Sequence, residues 1–352
     1  MERPNKQQRC LALRSIAAKT RVNETAILRV LENVRNDPKL LKDLGTTSSS
    51  TIRTNFREIA KDILTQVSVE ASLPTKSGGV VTLLVAPPQR VLQLYVERTS
   101  AFRELMNVKY NTGQIWRLVL YHDEVTPGNP LRPDNRRKLT ILYGSFIEFG
   151  DIIRNEQAWL PLAVLRHDAA AALEGGLSGA LRLIFRLFFQ SLHAGYVLKP
   201  SSPTVFLYRV GNLLADEDAN RASWACKGAS GVRPCFACKN VVLKGYAKHH
   251  QVLVDLDEDD ASKFALMSDQ EWFEVADHLT RQSAVLKKSA LEALEKSVGL
   301  NFVPAGLMFD AEIREVVRPT STTFDAMHVW FSNGICNTEL QIFLDAARQN
   351  AT

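Results

Sequence analysis

The amino-acid sequence predicts an α/β fold: a mixed sheet with a helical insertion and a helical N-terminal region. Three observations predict it. Apolar, β-rich runs over Ile115–Tyr121, Lys138–Phe149 and Trp159–Leu165 follow one another, and Thr126-Pro-Gly-Asn-Pro130 supplies a clear turn after the first. An amphipathic helix over Leu181–Leu192, its apolar run broken by Arg182, Arg186 and Gln190, then leads to a fourth strand at Thr204–Leu214. The first and fourth strands both run into acidic residues, Asp123 and Asp216.

The resulting order, β-β-β-α-β, is that of an RNase H-like core. In such a core the first and fourth strands lie side by side, which would bring Asp123 and Asp216 within reach of shared metal ions. Transfer of a phosphoryl group at DNA uses two divalent ions about 4 Å apart, one at the attacking oxygen and one at the leaving oxygen. Carboxylates on rigid strands can hold that geometry. Glu124, Glu217 and Asp218 stand beside the two candidates, and a solvated carboxylate capping a strand or turn is the plain alternative for each.

The bulk properties fit this reading without selecting it. With 352 residues, 45% of them apolar, the chain can bury a sizeable core as two units or as one large domain with an insertion. A formal charge of +5 is compatible with a polyanionic partner and equally with a neutral substrate. Five cysteines, an odd number with one close pair, point to a reducing compartment and a metal rather than a disulfide framework. The first ten residues carry no signal-peptide core, and no apolar stretch of membrane length follows, so no membrane role is expected.

Ahead of the sheet, residues 1–45 read as helical. Ser15 to Leu31 parses as helix, turn, helix, with Asn23 capping the second helix; this spacing fits a helix-turn-helix that enters a major groove, and a plain helical hairpin gives the same pattern. Thr46-Thr-Ser-Ser-Ser-Thr51 is a polar break and the expected domain boundary. Residues 46–110 form a mainly helical connecting region: a helix over Ile52–Val67, a strand over Val80–Val85, and a helix after Pro87-Pro88 reaching Met106. The core then occupies 111–352, with an insertion at about 220–320.

The second chemical signal is Pro234-Cys-Phe-Ala-Cys238, two thiols at the spacing of a zinc knuckle. Cys226, His249 and His250 are nearby candidates to join them, and Asp325 and His328 are remote ones. A polar turn is the plainer account of His249-His250. Cys10 and Cys336 read as small apolar fillers. Asp255-Leu-Asp-Glu-Asp-Asp260 reads as a solvated loop or helix start, and Glu174-Gly-Gly-Leu-Ser-Gly179 lacks the lysine of a phosphate-binding loop and is better placed at the start of the Leu181 helix.

Asp216, Trp224-Ala-Cys-Lys-Gly228 and Pro234-Cys-Phe-Ala-Cys238, followed by Phe324-Asp-Ala-Met-His328, resemble in the same order the catalytic region of CACTA/Mirage/Chapaev-type DDE transposases. They correspond to that family's second aspartate, Trp-x-x-Lys-Gly element, Cys-x-x-Cys pair and Asp-x-Met-His motif. Asp123 matches its first aspartate. The resemblance covers about Asn111 to Thr352. It implies that Asp123 and Asp216 bind catalytic magnesium or manganese, that Cys235, Cys238 and His328 help to bind structural zinc, and that the protein works on DNA in the nucleus. It also implies a third acid on a helix beyond the histidine motif. Glu339 is the glutamate available, and the family spacing places this residue at or past Thr352, so the expectation includes a chain truncated at its C-terminal end.

The functional expectation is a transposase-derived protein that binds DNA, cuts and joins strands through a two-metal site, and is compatible with a homo-oligomer. Arg136, Arg137 and Lys138 are candidates for phosphate contacts or, equally, solvated strand-edge cations. The rival expectation is a zinc-stabilised DNA-binding or interaction protein without chemistry.

Overall fold

A computed structural model describes residues 62–110, 114–126, 138–189, 194–197, 205–243, 245–246, 252–255, 258 and 260–326. The chain divides into two units, Met1–Thr65 and Gln66–Thr352, and nearly all the described residues belong to the second. The expected N-terminal helices, the polar break at 46–51, Arg136, Arg137, His249, His250, His328 and Glu339 lie outside the described residues, as do Cys10 and Cys336. Of the helix expected over 52–67, residues 62–67 are described and are helical.

The second unit opens with a hairpin, β1 (Val69–Pro74) and β2 (Val80–Val85), whose strands pair antiparallel with Val69 opposite Val85. The first of these strands escapes a sequence reading because only Ala71 and Leu73 of its six residues are fully buried and three face solvent. Two helices follow, α1 (Pro88–Arg98) and α2 (Ser100–Lys109), where a single helix was expected. Thr99 breaks them apart. It sits extended at φ −124°, and its β-branched side chain disfavours helix interiors. Arg103 then satisfies carbonyls left open at the end of α1, donating to Val96 O at 2.8 Å and Glu97 O at 2.9 Å.

The centre of the sheet comes next: β3 (Ile115–Val125), β4 (Leu139–Phe146) and β5 (Leu160–Arg166), then α3 (His167–Ala172), α4 (Gly176–Phe188), β6 (Ala194–Val197) and β7 (Val205–Ala215). Helix α5 (Glu217–Trp224) leaves β7 directly. Beyond it come a short parallel ribbon, β8 (Val241–Val242) with β9 (Val254–Asp255), and helices α6 (Asp269–Ser283), α7 (Lys288–Val298) and α8 (Ala311–Val316). The chain re-enters the main sheet as β10 (Thr322–Phe324). That sheet has the order β1-β2-β5-β4-β3-β7-β10, with β6 paired to β7.

Strands β3, β4 and β5 pair antiparallel, while β7 joins β3 in parallel and β10 joins β7 in parallel. The molecule is therefore a mixed α/β protein. The first and fourth strands of the expected run, β3 and β7, are neighbours. Among the described residues, no helix is long and apolar enough to cross a membrane.

Alternation along β3 decides which side is core. Trp116, Leu118, Leu120 and His122 are all fully buried, whereas Arg117, Tyr121 and Asp123, on the other face, are not. Phe185, Ile184 and Phe188 of α4 are buried in the same core cluster. Trp116 contacts Phe146, Phe149 and Phe206 edge to face at centroid separations of 5.5, 5.6 and 5.0 Å. Each such ring contributes about 1.5–3 kcal/mol by burial, so Phe146→Ala at the centre of this cluster should cost about 3–5 kcal/mol.

The excursion between β7 and β10 is anchored rather than loose. Ser268 and Glu271 form a reciprocal capping box on α6. Asp310 caps α8 through the Glu312 and Ile313 N–H groups, and its carboxylate also receives two bonds from Arg186 of α4, at 2.7 and 2.9 Å. A helix under the main sheet and the excursion thus share one buried carboxylate.

A candidate active site at three strand ends

The chain places an aspartate at or just past the same end of three consecutive parallel strands. Tyr121 of β3 pairs with Leu214 of β7, so Asp123 and Asp216 each stand two residues further along. Phe324 of β10 pairs with Ala215, and the Asp325 N–H donates to Ala215 O at 2.9 Å, which puts Asp325 beside the start of α5. Sequence reading nominated Asp123 and Asp216 for this region and treated Asp325 as a remote partner for the thiols. The structure brings Asp325 to Asp123 instead: the Tyr121 hydroxyl lies 3.2 Å from Asp123 Oδ2 and 3.3 Å from Asp325 Oδ2. The signal that could have found Tyr121 is strand periodicity, since it precedes Asp123 by two residues and shares its face.

Burial, reinforced by the charges of Asp123 and Asp325, pushes the Tyr121 phenol well above its ordinary value. It is a proton donor at any physiological pH. Its ring stacks on Tyr143 at 6.3 Å and meets Trp159 edge on at 6.0 Å, so the hydroxyl is aimed by packing. One O–H proton serves two carboxylate oxygens, and positive charge brought to this position would be stabilised.

Asp216 does a different local job. Its Oδ1 accepts the Ala219 N–H at 2.6 Å as the N-cap of α5, where the helix dipole favours a negative charge. The plain reading of a capping carboxylate is thus true of Asp216. The acids beside the candidates are partnered elsewhere. Glu124 bonds Lys138 at 2.9 Å and His167 Nδ1 at 3.0 Å; burial would raise its carboxyl, but these two partners bring it below the usual range. Glu217 and Asp218 pair with Arg221 on the surface of α5. Lys138 is accordingly engaged at the strand edge.

Helix α5 sews the three strand ends together. Beyond the Asp216 cap, the Asn220 amide donates to Ala215 O at 3.0 Å and to Thr323 O at 3.4 Å, spanning β7 and β10. Trp224 Nε1 donates to Thr322 Oγ1 at 2.8 Å. Ser223 reaches β3: its hydroxyl donates to Ala219 O at 2.8 Å and stands 3.0 Å from His122 Nε2, so the imidazole carries its proton there and donates to Ser223. Burial drives the His122 imidazole down to about 4, against the opposing charge of Asp216, and keeps it neutral. His122 faces the core, opposite to Asp123.

The sulfur residues form a second, softer locus. The turn Cys235–Cys238 is held against α5 by a stack of rings, Trp224 on Phe236 at 6.3 Å and Phe236 on Trp272 at 5.5 Å. Cys226 and Cys238 both lie within electrostatic range of Cys235. Burial, then the Cys235 bond and charge, pushes the Cys238 thiol up to about 12, and burial raises Cys226 as well. Lys227 of the Trp-x-x-Lys-Gly element pairs with Glu295 of α7 at 2.8 Å. Gly228 adopts φ +54° with the Arg221 side chain packed over it, which explains the glycine.

The donor chemistry suits the metals expected: hard carboxylate oxygens at the strand ends, paired thiols at the turn. Among the described residues, no three His, Cys, Asp or Glu side chains are close enough together to hold a metal ion. Compared with known proteins, the chain matches no family model, and no curated protein matches it either.

Proposed function

We propose that this chain is a transposase-derived, RNase H-like protein that binds DNA and carries a site for metal-dependent strand cleavage and joining. The observation that supports it most is the strand order: three antiparallel strands, with a fourth joining parallel beside the first, so that Asp123 and Asp216 come to the ends of adjacent strands. A sequence pattern of separated acids does not by itself demand that neighbourhood. In this reading Asp123 and Asp216 would hold magnesium or manganese, which supplies activation of the attacking oxygen and charge stabilisation at the leaving oxygen. Helix α5 fixes Asp216 through its cap and reaches β3, the strand of Asp123, through Ser223 and His122. Zinc held by Cys235, Cys238 and further ligands would brace the excursion, as the ring stack from Trp224 to Trp272 already does. Nuclear location and self-association belong to the same proposal.

The test is strand cleavage on duplex DNA with magnesium or manganese. Wild type should cleave, and Asp123→Ala and Asp216→Ala should each lose at least a hundredfold. Equal activity in all three proteins would remove the metal site.

A second reading, a zinc-stabilised DNA-binding or interaction protein without chemistry, is favoured by one observation: the helix-capping role that already occupies one oxygen of Asp216. Salt-dependent DNA binding with no cleavage under either metal would select it.

A further inference from the structure

Tyr121 and Asp123 leave the same face of β3. Asp325 follows a strand two places away, about 10 Å across the sheet at roughly 4.8 Å per strand. Its Oδ2 nevertheless lies 3.3 Å from the Tyr121 hydroxyl, and Asp123 Oδ2 lies 3.2 Å from the same oxygen. A phenol is long enough to make that crossing; a serine or threonine is not. The ring is fixed from two sides by Tyr143 and Trp159, so the hydroxyl does not have to be ordered when the site is used. The two carboxylates it joins are 202 positions apart in sequence, and the bond to Asp325 runs from β3 past β7 to the end of the strand that follows the excursion.

We propose that Tyr121 is a positioning residue of the strand-end site: its hydroxyl, shared between Asp123 and Asp325, holds the Asp123 carboxylate in one orientation and ties β10 to it. The proposal rests on the DNA-cleavage reading above. Tyr121 acts through Asp123 and does not itself touch the reacting atoms. Asp325 is the far anchor of the bond, and its place in the Asp-x-Met-His motif is thereby given a task at the sheet rather than at the thiols. Partners of this kind, which orient a ligating carboxylate, are worth about 10- to 100-fold in metal affinity or turnover.

Tyr121→Phe removes the hydroxyl and keeps the ring that packs on Tyr143 and Trp159. The full chain is compared as wild type, Tyr121→Phe, Asp325→Asn and the double variant, reading turnover and DNA KM in manganese, manganese affinity by calorimetry, and the thermal midpoint. The expected result is about a tenfold loss in kcat with DNA KM within twofold, a comparable weakening of manganese binding, an unchanged midpoint for Tyr121→Phe, and a double variant no worse than the poorer single one. Wild-type turnover and manganese affinity in Tyr121→Phe overturn the proposal and leave the cleavage reading standing. Manganese binding that weakens in Tyr121→Phe, in a wild-type protein that does not cleave, supports the positioning role and removes the cleavage reading. A wild type that neither cleaves nor binds manganese removes both.

Discussion

Trp224 donates its indole N–H to Thr322 Oγ1 at 2.8 Å, and this one bond joins the helix that leaves Asp216 to the strand that leads into Asp325. The same indole stacks on Phe236, between the two thiols of the Cys-x-x-Cys turn. Three stretches separated by up to a hundred residues therefore meet on one side chain, in the order in which the sequence resemblance groups them.

Trp224→Phe deletes the donor and also shrinks a fully buried ring system, so it should cost more than the ~1 kcal/mol net worth of one such hydrogen bond. Thr322→Val should cost about 1 kcal/mol, and the double variant little more than Trp224→Phe alone. Urea unfolding of the four proteins checks this, and additive losses in the double variant would show that the two groups do not act as a pair.

Much of this arrangement was legible in the sequence, and the reasons are physical. The strands β3, β5 and β7 carry dense apolar runs that a sequence reading finds, and α4 shows a helical stripe broken at Arg182 and Arg186. Arg186 proved to be an anchor for Asp310, a pairing across 124 residues that no local pattern encodes. β1 was missed because half of its residues face solvent, and the break at Thr99 because apolar spacing continues through it. At the site, Asp123 and Asp216 were readable as acids ending strands. Asp325 was assigned to the thiols because its neighbour His328 suggested metal chemistry, whereas the backbone bond from Asp325 N–H to Ala215 O sends it to the sheet. Register across a long excursion is a tertiary property and has no sequence period.

Gly228 gives a second test of local geometry. Its φ of +54° is left-handed, and an added Cβ would stand 2.6 Å from Arg221 Nη1 and 2.8 Å from Arg221 Cδ. Arg221 is flexible and can move aside, at the expense of its pairs with Glu217 and Asp218. The backbone strain remains, so Gly228→Ala should destabilise by about 1–2 kcal/mol. A thermal midpoint equal to wild type would contradict the left-handed assignment.

Asp310 predicts a pH dependence. Burial would raise its carboxyl, but the paired bonds from Arg186, the Ile313 N–H and the charges of Arg186 and Arg182 hold it below the ordinary carboxylate range. A group with a depressed folded value binds fewer protons folded than unfolded, so its stabilisation is present above the unfolded value of about 3.9 and is lost as pH falls through the folded one. Asp310→Asn should therefore destabilise at pH 7 by about 2 kcal/mol, less than for a fully buried pair because the Arg186 side chain is 43% exposed, and should flatten the acid limb of stability against pH. Guanidinium unfolding from pH 3 to pH 7 reads both effects; parallel curves for the two proteins would mean that another carboxylate governs the acid limb.

The proposed zinc site makes the last prediction. Burial and the neighbouring Cys235 push the Cys238 thiol up to about 12, so Cys238 is protonated at neutral pH when no cation is near. A divalent ion binds the thiolate, so zinc must displace the Cys238 proton as it binds. Zinc added to the metal-free chain at pH 7 should bind one ion with release of protons, read as a binding enthalpy that changes with the ionisation enthalpy of the buffer. Cobalt in its place should give the intense near-ultraviolet absorption of metal-bound thiolate. Cys235→Ser should abolish the absorption, and a chelator should lower the thermal midpoint of wild type but not of that variant. Binding that releases no protons and gives no thiolate absorption would place the ion on oxygen or nitrogen groups elsewhere, and the ring stack of Trp224, Phe236 and Trp272 would then be what holds the turn together.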